Sequence, residues 1–171
     1  MKKIILSLLV LGAATFSSYA QTSDEGGKFS IGVDAGLPLG DSKDVSSFII
    51  GGSLKYDHPI AENLFATLSA GYQKFLLKSD IKDAYKALGL EEPKLSAIPV
   101  KAGLKYFFDE GFFGEAQLGA AFLSDGGGTA FAYAPGVGYA FAGGFEAGVR
   151  YEAWSKNGTT SQVALRLAYK F

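Results

Sequence analysis

The sequence predicts an all-β fold, an eight-stranded antiparallel up-and-down transmembrane β-barrel, from three observations. Large apolar side chains alternate with small or charged ones in eight separate segments, which is the period of a strand with two different faces. The connections between these segments alternate between short and longer, as in an up-and-down barrel with an even number of strands. The chain also begins with the features of an export signal.

The export signal occupies the first residues of the chain. Two lysines are followed by an apolar run at 4–14 that is too short to span a bilayer, and a small-x-small cleavage motif stands at 18–20. We therefore predict a cleaved secretory signal peptide at 1–20 and one barrel domain at 21–171. Of the 16 basic residues two are lost with the signal, which leaves 14 against 17 acidic ones, a net charge of −3. The mature chain has neither a basic patch for nucleic acid nor any cysteine for disulfides or thiolate metal sites.

The first four predicted strands lie at 28–37, 47–57, 64–75 and 96–107. Each places its large apolar side chains at every second position, opposite small, hydroxyl or charged residues. The apolar faces are formed by Phe29, Ile31, Val33 and Ala35; Phe48, Ile50, Leu54 and Tyr56; Leu64, Ala66, Leu68 and Tyr72; and Ile98, Val100, Leu104 and Tyr106.

The last four predicted strands lie at 112–122, 130–141, 145–154 and 161–171. The uncharged stretch 126–145 has the composition of a membrane helix, but its aromatics all occupy odd positions, which only a strand places on one face. The apolar faces are formed by Ala116, Leu118, Ala120 and Phe122; Phe131, Tyr133, Val137 and Tyr139; Phe145, Ala147, Val149 and Tyr151; and Val163, Leu165, Leu167, Tyr169 and Phe171.

The predicted connections are short on one side of the barrel and longer on the other. The longer ones lie near 38–46, 76–95, 123–129 and 155–160. The loop at 76–95 is predicted to contain a short helix that is N-capped by Ser79. One face of this helix would carry Ile81, Ala84, Tyr85 and Leu88. The loop would cover the barrel mouth or contact an unknown ligand or protein.

Aromatic residues concentrate toward the strand ends, which predicts two girdles at the membrane interfaces. The girdle on the short-turn side is predicted to contain Phe29, Tyr56, Tyr106, Phe107, Phe112, Phe141, Phe145, Tyr169 and Phe171. The girdle on the long-loop side is predicted to contain Phe48, Tyr72, Phe75, Phe122, Phe131, Tyr151 and Trp154.

The signal sequence, the strand at 98–108 and the terminus Tyr169-Lys170-Phe171 resemble the small outer-membrane β-barrel family, the OmpA/OmpX-like, porin-like barrel domains. The resemblance implies residence in the outer membrane of a Gram-negative bacterium, among outer-membrane lipid. It also implies that the last strand is recognised by the barrel-assembly machinery. The residues that match this assembly signal are Leu165, Leu167, Tyr169 and Phe171.

The inward faces of the predicted strands carry a lumen charge network. An eight-stranded barrel is just wide enough to be filled by side chains, so we expect mixed charges to form a mutually compensating plug instead of a wide conduit. The predicted members are five basic and four acidic residues, Asp34, Lys55, Lys101, Lys105, Glu115, Glu146, Arg150, Glu152 and Arg166.

No combination of residues predicts an enzyme, a cofactor or a metal site. His58 lies in a predicted turn with no serine nearby, and Ser79 and Lys82 satisfy an S-x-x-K pattern without its companion motifs. We therefore predict an integral outer-membrane barrel with an envelope-structural or surface-interaction role. The alternative is a secreted, soluble, lipocalin-like barrel that binds an apolar ligand in its interior.

Overall fold

Eight antiparallel strands close into one barrel in the computed structural model, which describes residues 26–93, 95–124 and 126–171. Each strand pairs with the next along the chain, and the last pairs with the first, which confirms the predicted fold class. The predicted signal peptide at 1–20 lies outside the described residues. The strands are β1 (Lys28–Leu39), β2 (Ser46–Ala61), β3 (Leu64–Leu77), β4 (Ser96–Phe107), β5 (Phe112–Leu123), β6 (Gly128–Ala140), β7 (Phe145–Ser155) and β8 (Thr159–Lys170).

The barrel is closed by the pairing of β1 with β8. Asp34 stands opposite Arg166 with both side chains in the lumen, and Val33 stands opposite Leu167 with both side chains outside. A slip of one residue would exchange the two faces, so the alternation in both strands fixes this register.

The two faces of the barrel wall have opposite character. Outward-facing Val33, Val137 and Phe145 are 64%, 62% and 61% exposed, whereas inward-facing Lys105 and Glu152 are 0% and 1% exposed. An apolar exterior around a charged interior is the arrangement of a barrel that lies in lipid. A soluble lipocalin-like barrel requires the reverse arrangement, so this alternative is rejected.

The two ends of the barrel differ in their connections. The turn end carries the connections 62–63, 108–111 and 141–144, together with the start of β1 and the end of β8. The loop end carries the connections 40–45, 78–95, 124–127 and 156–158. Four longer loops were expected at the loop end, but the last two are as short as turns. The reason is that β6 and β8 begin earlier than predicted and continue to pair with β5 and β7.

Two helices lie at the loop end, α1 (Ser42–Val45) and α2 (Ser79–Ala87). Helix α2 confirms the helix predicted within 76–95. The predicted N-cap is wrong, because Lys78 is the capping residue, with extended backbone at φ −64° and ψ 152°, and Ser79 is already helical. Within the described residues, no helix has the length and apolarity that crossing a bilayer requires.

Candidate functional site

All nine charged residues of the predicted lumen network point into the barrel. The period of two in each strand places them there, because residues two apart share one face of a sheet. Seven of them are buried, and the side chains of Arg150 and Glu115 are only 13% and 14% exposed. The nine are Asp34, Lys55, Lys101, Lys105, Glu115, Glu146, Arg150, Glu152 and Arg166.

A turn-end cluster forms around Glu146. One carboxylate oxygen of Glu146 accepts a hydrogen bond from Lys55 Nζ at 3.0 Å, and the other accepts one from Lys105 Nζ. Lys55 Nζ also donates to Glu115 Oε2 at 2.7 Å, and Lys105 Nζ to Asp57 Oδ2 at 3.1 Å. Two lysines therefore share three carboxylates, so none of these buried charges lacks a counter-charge.

Asp57 and Lys170 belong to this cluster although the sequence analysis did not include them. Lys170 Nζ lies 3.4 Å from Asp57 Oδ2 and 3.5 Å from Glu146 Oε2. Their spacing in the sequence could have identified them, because Asp57 follows Lys55 by two positions and Lys170 follows Arg166 by four, and residues an even number of positions apart share one face of a strand. With both included, the ion-pair network of the described residues contains six basic and five acidic side chains, so its charges nearly balance.

A loop-side cluster forms around Glu152. Its carboxylate accepts hydrogen bonds from Lys101 Nζ at 2.7 Å, from Arg150 Nε at 2.7 Å and from Trp154 Nε1 at 3.1 Å. Arg150 Nη1 also donates to Asp34 Oδ1 at 2.8 Å. The Glu152 carboxylate is almost completely buried, and these donors supply the hydrogen bonds that water would otherwise provide.

Neutral polar side chains extend both clusters across the lumen. Gln162 Nε2 donates to Gln73 Oε1 at 2.6 Å, and Gln73 in turn donates to Glu152 at 3.4 Å. Arg166 donates to Ser53 Oγ at 2.9 Å and to Ser30 Oγ at 3.1 Å. The Arg166–Ser30 bond joins the neighbouring strands β8 and β1, whereas the others join strands that are not neighbours in the wall, such as β3 with β7, and brace the barrel across its lumen.

Aromatic side chains close the lumen at both ends. Toward the loop end, Trp154 is 3% exposed and packs edge-on against Phe75 at 5.6 Å between ring centroids. Toward the turn end, Lys105 Nζ lies 3.9 Å from the ring centroid of Phe113, and the Phe113 ring packs against Phe107.

The predicted girdle positions of Trp154, Phe75 and Phe107 are therefore wrong. Each of them lies an even number of positions from an inward-facing residue of its strand, as Trp154 lies two positions from Glu152. Residues with this spacing share one face of the strand, so these three side chains point inward although they lie near a strand end. Other members of the predicted girdles are exposed outside, among them Phe112 at 60% and Phe131 at 54%.

The space left inside the lumen is small. One cavity of about 20 Å³ is bordered by Asp34, Lys101 and Arg166, and another of about 30 Å³ is bordered by Lys55, Phe113 and Glu146. A cavity needs roughly 10–15 Å³ to hold one water molecule, so each has room for only one or two. The described side chains therefore fill most of the lumen between the two aromatic closures, and a wider cleft of about 570 Å³ opens at the loop end beside Trp154.

Comparisons with known proteins agree with this architecture. The family model described as outer membrane protein beta-barrel domain matches residues 6–171. The crystal structure of Ail, the attachment invasion locus protein of Yersinia pestis, is similar at 21% identity and a TM-score of 0.60, covering 86% of this chain and 99% of Ail. A search of curated proteins finds no match.

Two further structures share the fold. The N-terminal β-barrel domain of Pseudomonas aeruginosa OprF is similar at 13% identity and a TM-score of 0.57, covering 84% of this chain and 97% of that domain. The outer membrane enzyme PagL is similar at 19% identity and a TM-score of 0.61, covering 82% of this chain and 98% of PagL.

Proposed function

Because this chain belongs to the outer membrane protein beta-barrel domain family, we propose that it is a sealed, non-conducting barrel with a structural or surface-interaction role in the envelope. It is an integral outer-membrane protein, and its apolar wall lies in lipid. The observation that carries the proposal is the filled lumen. The shared carboxylates of Glu146 and Glu152 hold basic side chains from several strands in the space that a conduit would need.

A network of this kind supports a plug better than a pore. Each basic side chain is held by one to three carboxylates, so moving it aside to admit a solute would break charge-assisted hydrogen bonds inside a narrow, poorly hydrated space. The aromatic pairs at Trp154 and at Phe113 add a second obstacle at each end.

We further propose that the barrel is not an enzyme. PagL shows that this fold can carry an active site, so the proposal depends on side chains and not on the fold. His58 lies exposed near the turn end, beside Tyr56, whose Oη is 3.4 Å from His58 Nδ1. The described residues give it no serine nucleophile and no orienting carboxylate within hydrogen-bond distance. They also contain no group of three side chains suited to a metal.

The last strand is proposed to be the element that the barrel-assembly machinery recognises. Leu165, Leu167, Tyr169 and Phe171 all face outward and are 41–49% exposed. The Phe171 amide donates to the Phe29 carbonyl at 2.9 Å, so the terminal aromatic is held at the turn end, in the plane of the wall. These features support a last strand that presents one continuous apolar face during assembly.

Conductance in planar bilayers tests the sealed lumen. The purified mature protein is expected to produce no stable channels, whereas a wide-pore barrel protein in the same chamber serves as the positive control. Reproducible nanosiemens-scale openings that depend on protein insertion would contradict the proposal.

A further inference from the structure

Helix α2 is an amphipathic helix whose apolar face is only partly covered, with Ile81 and Tyr85 half-buried. None of its residues is buried, and the two leucines that follow it, Leu88 and Leu90, are 73% and 57% exposed. Its backbone hydrogen bonds are local, as in Lys82 N to Lys78 O and Leu88 N to Ala84 O. Two hydrogen bonds hold the loop at its base, from the Phe75 amide to the Leu95 carbonyl at 2.9 Å and from the Lys78 amide to the Val45 carbonyl at 3.1 Å.

The side chains of α2 are sorted around the helix. Ile81, Ala84, Tyr85 and Leu88 follow the i, i+3, i+4, i+7 spacing of one apolar face. Lys78, Lys82 and Lys86 are spaced by four, so they form a basic row that starts at one edge of that face and turns away from it, while the acidic residues Asp80 and Asp83 lie on the opposite flank of the helix.

The outer wall of β3 leads directly into this helix. Leu68 and Tyr72 are 56% and 52% exposed on the lipid-facing side, and the exposed Lys74 follows them on the same side. Tyrosine and lysine near the end of a lipid-facing strand mark the level of the headgroups. β3 continues for three residues past Lys74, so the helix begins just above this level.

We propose that α2 lies on the outer leaflet beside the barrel, with its apolar face among the upper acyl chains and its basic row on phosphate-bearing headgroups. Charge favours this occupant, because three lysines on one flank outnumber the two aspartates on the other and leave the segment 78–87 net positive, which suits an anionic lipid surface. The inference rests on the proposed function, since it requires the loop end to be the outer end. It identifies the lipid surface as what the 78–95 loop contacts.

Single-cysteine labelling tests this docking, because the chain contains no native cysteine. A fluorophore is attached to Ile81→Cys on the apolar face or to the matched control Ala87→Cys on the far side. The barrel is reconstituted in phosphatidylcholine vesicles with and without phosphatidylglycerol, and quenching by nitroxide-bearing lipid is measured. We expect the label at 81 to be quenched several-fold more than the label at 87, and most strongly in the anionic vesicles.

The basic row is tested by the triple variant Lys78→Gln/Lys82→Gln/Lys86→Gln on the Ile81→Cys background. Removing three cations near an anionic surface should shift the docking equilibrium by about tenfold or more toward the undocked state. Raised salt should act in the same direction. Folding of each variant is verified by the electrophoretic mobility difference between heated and unheated samples.

Three outcomes would overturn the inference. Equal quenching at 81 and 87 would remove the orientation, and equal quenching in both kinds of vesicle would remove the role of the lysines. A label at 81 that is shielded from aqueous iodide but untouched by nitroxide lipid would place the apolar face elsewhere. Such a place is the loop-end cleft of about 570 Å³ lined by Phe75, Leu95 and Trp154, or a second copy of the chain. The conductance test is independent of all three, so a failure here is distinguishable from a failure of the sealed lumen.

Discussion

Replacing Glu152 with glutamine tests whether the lumen network stabilises the barrel. The carboxylate holds Lys101 and Arg150 at 2.7 Å each, in side chains that are at most 13% exposed. Arg150 retains Asp34 at 2.8 Å, but Lys101 loses the one carboxylate that the described residues place within ion-pair distance of it. Removing one partner of a buried pair costs about 3–5 kcal/mol, and we expect Glu152→Gln to lower the free energy of unfolding by about 3 kcal/mol.

The double variant Lys101→Met/Glu152→Gln distinguishes an unpaired charge from a packing defect. It removes the stranded cation, so we expect it to recover about 1–3 kcal/mol relative to Glu152→Gln alone. The control Glu62→Gln removes an exposed charge at the turn end and should stay within about 0.5 kcal/mol of wild type.

Urea unfolding in lipid vesicles, followed by the mobility difference between folded and unfolded protein, measures all three variants. Fluorescence of Trp154 is unsuitable, because its indole donates to Glu152 itself. A Glu152→Gln variant as stable as wild type, or a double variant less stable than the single one, would refute the reasoning.

Three further outcomes are expected. Deleting Phe171 should lower the outer-membrane level of the protein more than Ser155→Asp does. A change on the lipid face near an interface alters stability by only about 0–1 kcal/mol, so a large loss would indicate impaired assembly. Equal levels of the two variants in fractionated cells would count against recognition of the last strand. Val33→Arg, at the middle of β1 on the lipid face, should cost about 2–4 kcal/mol in vesicle unfolding, and a cost near zero would place that face out of lipid. Gly103→Ala should destabilise by about 2 kcal/mol or more, because its Cβ would overlap a carbonyl oxygen of the neighbouring strand, whereas Gly158→Ala has open space and should be neutral in the same assay.

Parity along the strands made most of the barrel predictable from sequence. A residue two positions from Lys55 or Val33 lies on the same face wherever the strand ends, so errors of a few residues in the boundaries did not change which side chains point inward. The same rule would have placed Trp154 and Asp57 in the lumen. The sequence analysis put Trp154 in a girdle because it gave more weight to closeness to a strand end, and it left Asp57 out of the charge network.

The partners inside the lumen were not predictable in the same way. Which carboxylate meets Lys101 depends on how strongly the strands are staggered around the closed barrel, and local alternation carries no information about that stagger. The short connections at 124–127 and 156–158 were missed for a related reason. Gly128 has little strand propensity, and Thr159, although β-branched, directly follows the turn residues Asn157 and Gly158, so in both places the start of the strand is set by pairing with its neighbour.

Bracing across the lumen has a consequence for how the barrel enters the membrane. Arg150 on β7 meets Asp34 on β1, across the strand β8 that closes the barrel, so this pair needs β8 to be joined to β1. An open, partly curled sheet in lipid would present a row of unneutralised charges to hydrocarbon, at a cost of several kcal/mol for each. We therefore expect closure and insertion to occur together in this chain, with the charged face kept toward water until β8 pairs with β1.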